Sequence, residues 1–284
     1  MARELKKKSK IFIGLDQTGA VSANGSPRPL PAVAFVMKSP TALHLEVNNL
    51  KSFNKKCLRE WILNLGGSWE SAIVVIDSVL GLPRDIARSN RQGAHRWIWS
   101  LFARAAQAPS YGKSSGEQFF QSIYSCSDLS VPARRAEERA GANSVFKNKP
   151  AQRNIQTGTF RVWKDLGGNE LQWCDIFPFS GLRGSQLRPL VFEGYPSWVW
   201  KKYWNESKRD SARCVHLLER YCTHLQISSA QKKILNASAD LADAAALAWL
   251  GWHLAQTRKL KNLPKRQLQR VLEGEGWILG LDEK

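Results

Sequence analysis

Four apolar stretches of this chain deliver acidic side chains at their ends. IFIGLD stops at Asp16, AIVVID at Asp77 and PLVFE at Glu193, while SADLADAAALAW opens with Asp240 and Asp243. On a helix the last two, three residues apart, share a face. Carboxylates are costly to bury unless a cation meets them. Brought together they would make an all-oxygen site, whose hard ligands select Mg2+ or Mn2+ over softer metals. Two such ions about 4 Å apart activate a water and stabilise the leaving oxygen of a phosphodiester. Singly, each acid has an ordinary reading. Asp16 and Asp77 suit turns at strand ends, Asp240 and Asp243 suit the first turns of a helix capped by Ser238, and Glu193 suits a strand-end surface. Four coincidences at the ends of core elements are harder to account for than one shared site.

Other chemistries find little support. His44, His95, His216, His224 and His253 are dispersed without metal-ligand spacing, and no H-E-x-x-H, nucleophile elbow or G-x-x-x-x-G-K-[ST] phosphate loop is present. The five cysteines include no C-x-x-C pair, which argues against a zinc site or a disulfide framework and for a reducing compartment.

The acids need elements to hold them. KIFIGLDQTG reads as a buried strand, AVAFVMK and ALHLEV as a hairpin about the turn SPT, and SFNKKCLREWILNLGG as a helix with Ser52 at its N-cap and glycines at its end. AIVVIDSVLGLP is the strongest strand, continuous and β-branched. GAHRWIWSLFARAAQ and SGEQFFQSIYS look helical, VPARRAEERAGANSVFKNKPAQRN looks like polar loop, and GTFRVWKDL and LQWCDIFPF read as paired strands or ordered loop. PLVFEGYP is a short strand, PSWVWKKYWN starts a helix with Pro196 in its first turn, and DSARCVHLLERYCTHL is amphipathic. SADLADAAALAWLGWHLAQ is apolar nearly all round and therefore buried.

The chain has 284 residues with 42 Lys+Arg against 24 Asp+Glu, a net charge of +18. That excess favours a polyanionic partner, nucleic acid first. Basic clusters stand at Arg84, Arg88, Arg91 and Arg96, at Arg134, Arg135 and Arg139, at Lys147, Lys149 and Arg153, and in the tail at Arg258, Lys259, Lys261, Lys265 and Arg266. A charge run is usually a solvated face, but together these clusters imply salt-dependent binding. Twelve tryptophans supply core and stacking surface; Arg161, Trp163 and Lys164 make the best basic-aromatic patch, although core burial is the commoner fate of tryptophan. IFIGL is too short for a signal-peptide core, and the longest apolar stretch falls short of the ~20 residues that span a bilayer. The expectation is a soluble, cytoplasmic protein with no membrane partner.

The segments IGLDQTG, VVIDSVLGLP, VFEGYPS, ADLADAAALAW and EGWILGL, in that order, resemble a family of predicted nucleases with an RNase H-like fold, itself a domain-of-unknown-function family. The resemblance runs from about Ile11 to Leu281, and Val79 stands where the family often has proline. It implies an α/β architecture with a five-stranded mixed sheet in the order β-β-β-α-β-α-β-α. On this reading residues 1–10 are a basic leader and 11–284 one nuclease domain, with an insertion over about 84–189, between the fourth and fifth strands, and a basic tail over about 257–284. The more distant similarity to Holliday-junction resolvases implies that Asp243 and Asp240 complete a site begun by Asp16 and Asp77, and suggests a homodimer. Glu193 matches the family's acidic strand-end motif.

The expected activity is a hydrolase, an endonuclease-type enzyme dependent on two Mg2+ or Mn2+ ions and acting on DNA or RNA. Asp16 would bridge the ions, and Asp77, Asp243 and either Asp240 or Glu193 would complete their shells. Two alternatives stay open. One is a non-catalytic nucleic-acid-binding module that keeps the acids for structure. The other, suggested by the likeness of IGLDQTG to a phosphate loop, is an actin-like ATPase or kinase-type phosphotransferase.

Overall fold

Strand β1 (Lys10–Leu15) is built from residues buried on both faces, which requires neighbours on both edges and layers above and below. It pairs antiparallel with β2 (Leu30–Ser39), which pairs antiparallel with β3 (Ala42–Leu50), so the expected hairpin forms with a bulge between Met37 and Ser39. On its other edge β1 runs parallel to β4 (Ile73–Ile76), and β4 runs parallel to β6 (Leu190–Glu193). Two short strands, β5 (Asp175–Ile176) and β7 (Leu225–Gln226), complete a seven-stranded mixed sheet of order β5-β6-β4-β1-β2-β3-β7. The computed structural model describes residues 9–17, 28–39, 41–82, 94–108, 115–123, 134–142, 153–168, 172–180, 187–263 and 276–281.

The sheet therefore has seven strands, not five. The two additional strands are two-residue edge pieces, too short to carry a readable alternation. Helix α1 (Lys55–Asn64) is capped by Asn54, whose side chain accepts from the Cys57 N–H at 2.9 Å, and not by Ser52. Within the insertion stand α2 (Ala94–Gln107), α3 (Ser115–Ile123), α4 (Arg135–Ala140) and α5 (Arg153–Leu166). The last two correct the sequence reading, since RAEERA is helical within a stretch read as loop and GTFRVWKDL is helix where a strand was considered. After β6, the short α6 (Pro196–Trp198) continues as a π-helical turn (Val199–Tyr203), followed by α7 (Ser211–Tyr221), α8 (Ser229–Ala237) and α9 (Ala239–Gln256).

Two apolar layers cover the sheet. Ile11, Ile13, Leu15, Val74, Ile76 and Val191 face one layer, with α1, α2, α3 and α5. Phe12, Val33, Ile73, Val75 and Phe192 face the other, with α9 and the π turn. Helix α9 lies directly against β1 at Gly14, where an added Cβ would stand 1.9 Å from the Ala244 carbonyl oxygen and 2.4 Å from the Ala248 nitrogen. Only glycine permits that approach. No helix among the described residues is long and apolar enough to cross a membrane.

Candidate functional site

Two acids adjoin where the parallel strands end, and a third lies near them on α9. The Asp77 N–H donates to the Leu15 carbonyl oxygen at 2.9 Å, so the ladder between β1 and β4 continues one step and sets Asp16 and Asp77 side by side. Alternation along the strands decides which way they point. Leu15 and Ile76 belong to the insertion layer, so Asp16 and Asp77, one residue on, turn toward α9. Helix α9 begins at this end of the sheet. Its N-cap Ser238 accepts from the Leu241 N–H, as the sequence suggested, and Asp243 sits one turn inside, only 5% exposed. Asp240, in the first turn, is exposed at the rim, where the helix dipole favours it.

The buried carboxyls of Asp16 and Asp77 lie side by side, and burial favours the protonated form of both. Burial raises Asp16 well above the usual carboxylate range, and the charges of Asp77, Asp243 and Asp240 raise it further. Burial likewise pushes Asp77 up to about 7, although the neighbouring Asp16 carboxyl and the positive charge of Arg209 act in the other direction. Asp243 is raised by burial as well, against two stabilising donors. The Trp200 indole N–H donates to its Oδ1 at 2.8 Å, and Arg209 Nη1 donates to its Oδ2 at 2.5 Å.

Glu193 does not join this group. It ends β6 in register with Ile76, not with Asp77, so its side chain turns to the opposite face of the sheet. There it is clamped. Arg134, fully buried, donates through Nη1 to Glu193 Oε2 at 2.9 Å and through Nη2 to Oε1, and its Nε donates to Glu137 Oε1 at 3.0 Å. The Leu80 N–H adds a fourth bond, 2.9 Å to Glu193 Oε2. This network ties the loop after β4 and helix α4 to the end of β6. Expected as a metal ligand, Glu193 has both oxygens committed to a structural ion pair.

The proposed nucleic-acid contacts fall into three groups. Arg84, Arg88 and Arg91 lie outside the described residues, as do Lys147, Lys149, Lys265 and Arg266; the side chains of Arg135 and Arg153 are likewise undescribed. Arg96 is exposed on α2, and Arg258, Lys259 and Lys261 follow the C-terminal end of α9. At 1.5 Å per residue, Arg258 is about 22 Å along the helix from Asp243. The patch of Arg161, Trp163 and Lys164 faces inward. Trp163 is 0% exposed and donates its indole N–H to the Val79 carbonyl oxygen at 2.6 Å. Arg161 is buried and donates to the carbonyls of Arg28 and Lys51, while Lys164 donates to those of Ala105, Ala106 and Ala108. These three are corrected from a stacking surface to parts of the scaffold.

Arg209, Trp200 and Arg134 are the partners that sequence reading missed in these roles. Arg209 stands in a polar connection without periodicity, and Trp200 is one of twelve tryptophans. Arg134 was read as part of a surface run; the Glu137 three residues on, which accepts its backbone N–H at 2.9 Å, was the available signal of a capped helix start.

Whether these residues suit a divalent ion can be judged from their chemistry. Asp16 and Asp77 offer hard oxygen donors side by side at the ends of adjoining strands. Among those residues, no three acidic, histidine or cysteine side chains yet stand close enough to enclose an ion. Asp243, the natural third donor, is committed to Arg209 and Trp200. The set fits by donor type, with one ion pair to be opened. No family model matches the chain, and no curated protein or solved structure matches it significantly.

Proposed function

We propose that this protein is a metal-dependent nuclease of RNase H-like architecture. The observation that carries the reading is the adjoining pair Asp16 and Asp77 at the ends of neighbouring parallel strands, faced by Asp243 from the start of a buried helix. Supporting the fold assignment, the five longer strands stand in the order β6-β4-β1-β2-β3, with the first three in the chain antiparallel and the other two parallel to β1. A chain of net charge +18 that nevertheless buries carboxylates together fits a centre that phosphates approach through bound cations.

Asp16 and Asp77 would hold Mg2+ or Mn2+, with Asp243 as third ligand once it parts from Arg209. Such ions supply an activated water and stabilise the leaving oxygen of a phosphodiester. The chain's own residues set the conditions. Burial raises both Asp16 and Asp77, so a proton must leave the pair before both carboxylates can serve, and competence rises with pH. Trp200 fixes Asp243 Oδ1 against the core, and Asp240 adds negative potential near Asp16. Glu193 and Arg134 hold the loop that follows Asp77.

The test is cleavage of single-stranded, duplex, hybrid and branched oligonucleotides in Mg2+ and in Mn2+, by wild type and by Asp77→Asn. Metal-dependent cleavage that the variant loses supports the proposal. Binding of these substrates with none cut in either metal establishes the non-catalytic binding module instead, and cleavage that survives in Asp77→Asn refutes the site.

A further inference from the structure

The two oxygens of Asp243 are held by unlike partners. Oδ1 accepts from Trp200, a side chain only 1% exposed and packed edge-on against Trp204 at a centroid distance of 4.9 Å, so that bond is part of the core. Oδ2 accepts from Arg209, whose side chain is 53% exposed. Arg209 belongs to the connection between the π turn and α7. That connection is pinned on both sides of it: the Glu206 N–H donates to the Trp200 carbonyl oxygen at 2.8 Å, Glu206 pairs with Arg213, and the Asp210 carboxylate caps α7 through the Ala212 N–H at 3.0 Å. The backbone beneath Arg209 is therefore fixed while its guanidinium stands at the solvent edge. Its charge reaches Asp77 and Asp16 as well as Asp243.

An ion pair with one half-exposed partner is weak, because water competes for the guanidinium and ordering a long side chain costs entropy. A divalent cation competes for the same oxygen with twice the charge and a demand for hard carboxylate donors. The two cations cannot share Oδ2 without repulsion. Once displaced, a guanidinium anchored beside the centre presents a planar fork of donors suited to phosphate oxygens.

We propose that Arg209 is an exchangeable counter-ion: it holds Asp243 Oδ2 while the centre is empty of metal, and turns to a substrate phosphate when a divalent ion takes that oxygen. This rests on the nuclease reading and adds to it a phosphate-binding residue that also sets the affinity for metal.

The experiment uses the full chain as wild type, Arg209→Gln and Arg209→Lys. Titration of Mn2+ alone by calorimetry should show Arg209→Gln binding about fivefold more tightly than wild type, since the competing cation is gone and such a pair is worth on the order of 1 kcal/mol. Arg209→Lys should lie between them, and Asp243→Asn added to Arg209→Gln should abolish the gain. A merely structural role for Arg209 would weaken metal binding. Equal or weaker binding by Arg209→Gln overturns the inference alone; no Mn2+ binding by any of these proteins overturns the metal reading and the inference with it. The second measurement is the anisotropy of a labelled DNA duplex with Ca2+ in place of Mg2+, where Arg209→Gln should bind about tenfold more weakly than wild type. In EDTA, with Arg209 back on Asp243, the two should differ by less than twofold. Equal affinity in Ca2+ overturns the phosphate half of the proposal.

Discussion

Replacing Asp77 by asparagine should make the metal-free protein more stable at neutral pH while removing the proposed metal-dependent cleavage. Burial pushes the Asp77 carboxyl from its usual 3.8 up to about 7. Between those values the folded state binds a proton that the unfolded chain releases, so stability is fully present below about pH 4 and declines as pH rises through 7. At about 1.4 kcal/mol per pH unit the ceiling is roughly 4 kcal/mol. Asp77 keeps partial contact with solvent and titrates beside Asp16, which brings the expected penalty at pH 8 to about 1–3 kcal/mol. Asparagine is nearly isosteric and carries no charge.

Urea unfolding in EDTA at pH 5, 6, 7 and 8 measures this directly. Asp77→Asn should exceed wild type by about 1–3 kcal/mol at pH 8, with the gain shrinking toward pH 5. Mg2+ should then reverse the ranking, since an ion at a hundredfold over its dissociation constant adds about 2.7 kcal/mol to a protein that binds it only when folded. A variant less stable than wild type at pH 8 in EDTA, or a gain that does not change with pH, would refute the assignment of Asp16 and Asp77 as a buried pair that favours the protonated form.

The same chemical change at Glu193 should have the opposite sign. Glu193→Gln leaves Arg134 buried without its main counter-charge, and urea unfolding should report a loss of about 3–5 kcal/mol at pH 7; a neutral effect would mean the clamp is not formed. Gly14→Ala sets a methyl group against the backbone of α9 and should cost about 3 kcal/mol by the same measurement, with loss of metal-dependent cleavage because Asp243 moves with the helix; wild-type stability would refute the close approach of β1 and α9. Duplex binding followed between 50 and 200 mM salt should weaken at least tenfold, and an affinity indifferent to salt would remove the polyanion reading of the net charge.

Much of the scaffold was legible because its signals are periodic. β1 and β4 are apolar without interruption, the hairpin of β2 and β3 is marked by its turn, and α9 is apolar all round with Ser238 before it. Legibility failed in the insertion for a different reason. Helix α5 buries Phe160, Val162, Trp163 and Leu166, and also Gln156, Thr157, Thr159 and Arg161, so polar residues occupy core positions and hide the helical stripe. Gly158 within it, where a Cβ would stand 1.9 Å from Gln17 Oε1, further lowers its apparent helix propensity. Tertiary contacts decide that helix, and a single sequence does not display them.

The site was half legible, and the boundary between the halves is one residue of strand register. Asp16, Asp77 and Glu193 each follow an apolar run, and read along the chain they are equivalent. The ladders separate them: Leu15 pairs with Ile76, which aligns Asp16 with Asp77, but Ile76 pairs with Glu193. Because side chains alternate with period two, that single step sends two carboxylates toward α9 and the third through to the insertion layer. The consequence is a division of labour at one end of one sheet. On the α9 side, where Arg209 is the cation at Asp243, burial leaves Asp16 and Asp77 holding a proton that a divalent ion could replace. On the opposite side Arg134 neutralises Glu193 with no exposure to solvent and fixes the loop through Leu80. A metal site needs carboxylates whose cation can be exchanged, and a structural clamp needs one whose cation cannot. The exposure of the two arginines, 53% for Arg209 and 0% for Arg134, is what distinguishes the two sides.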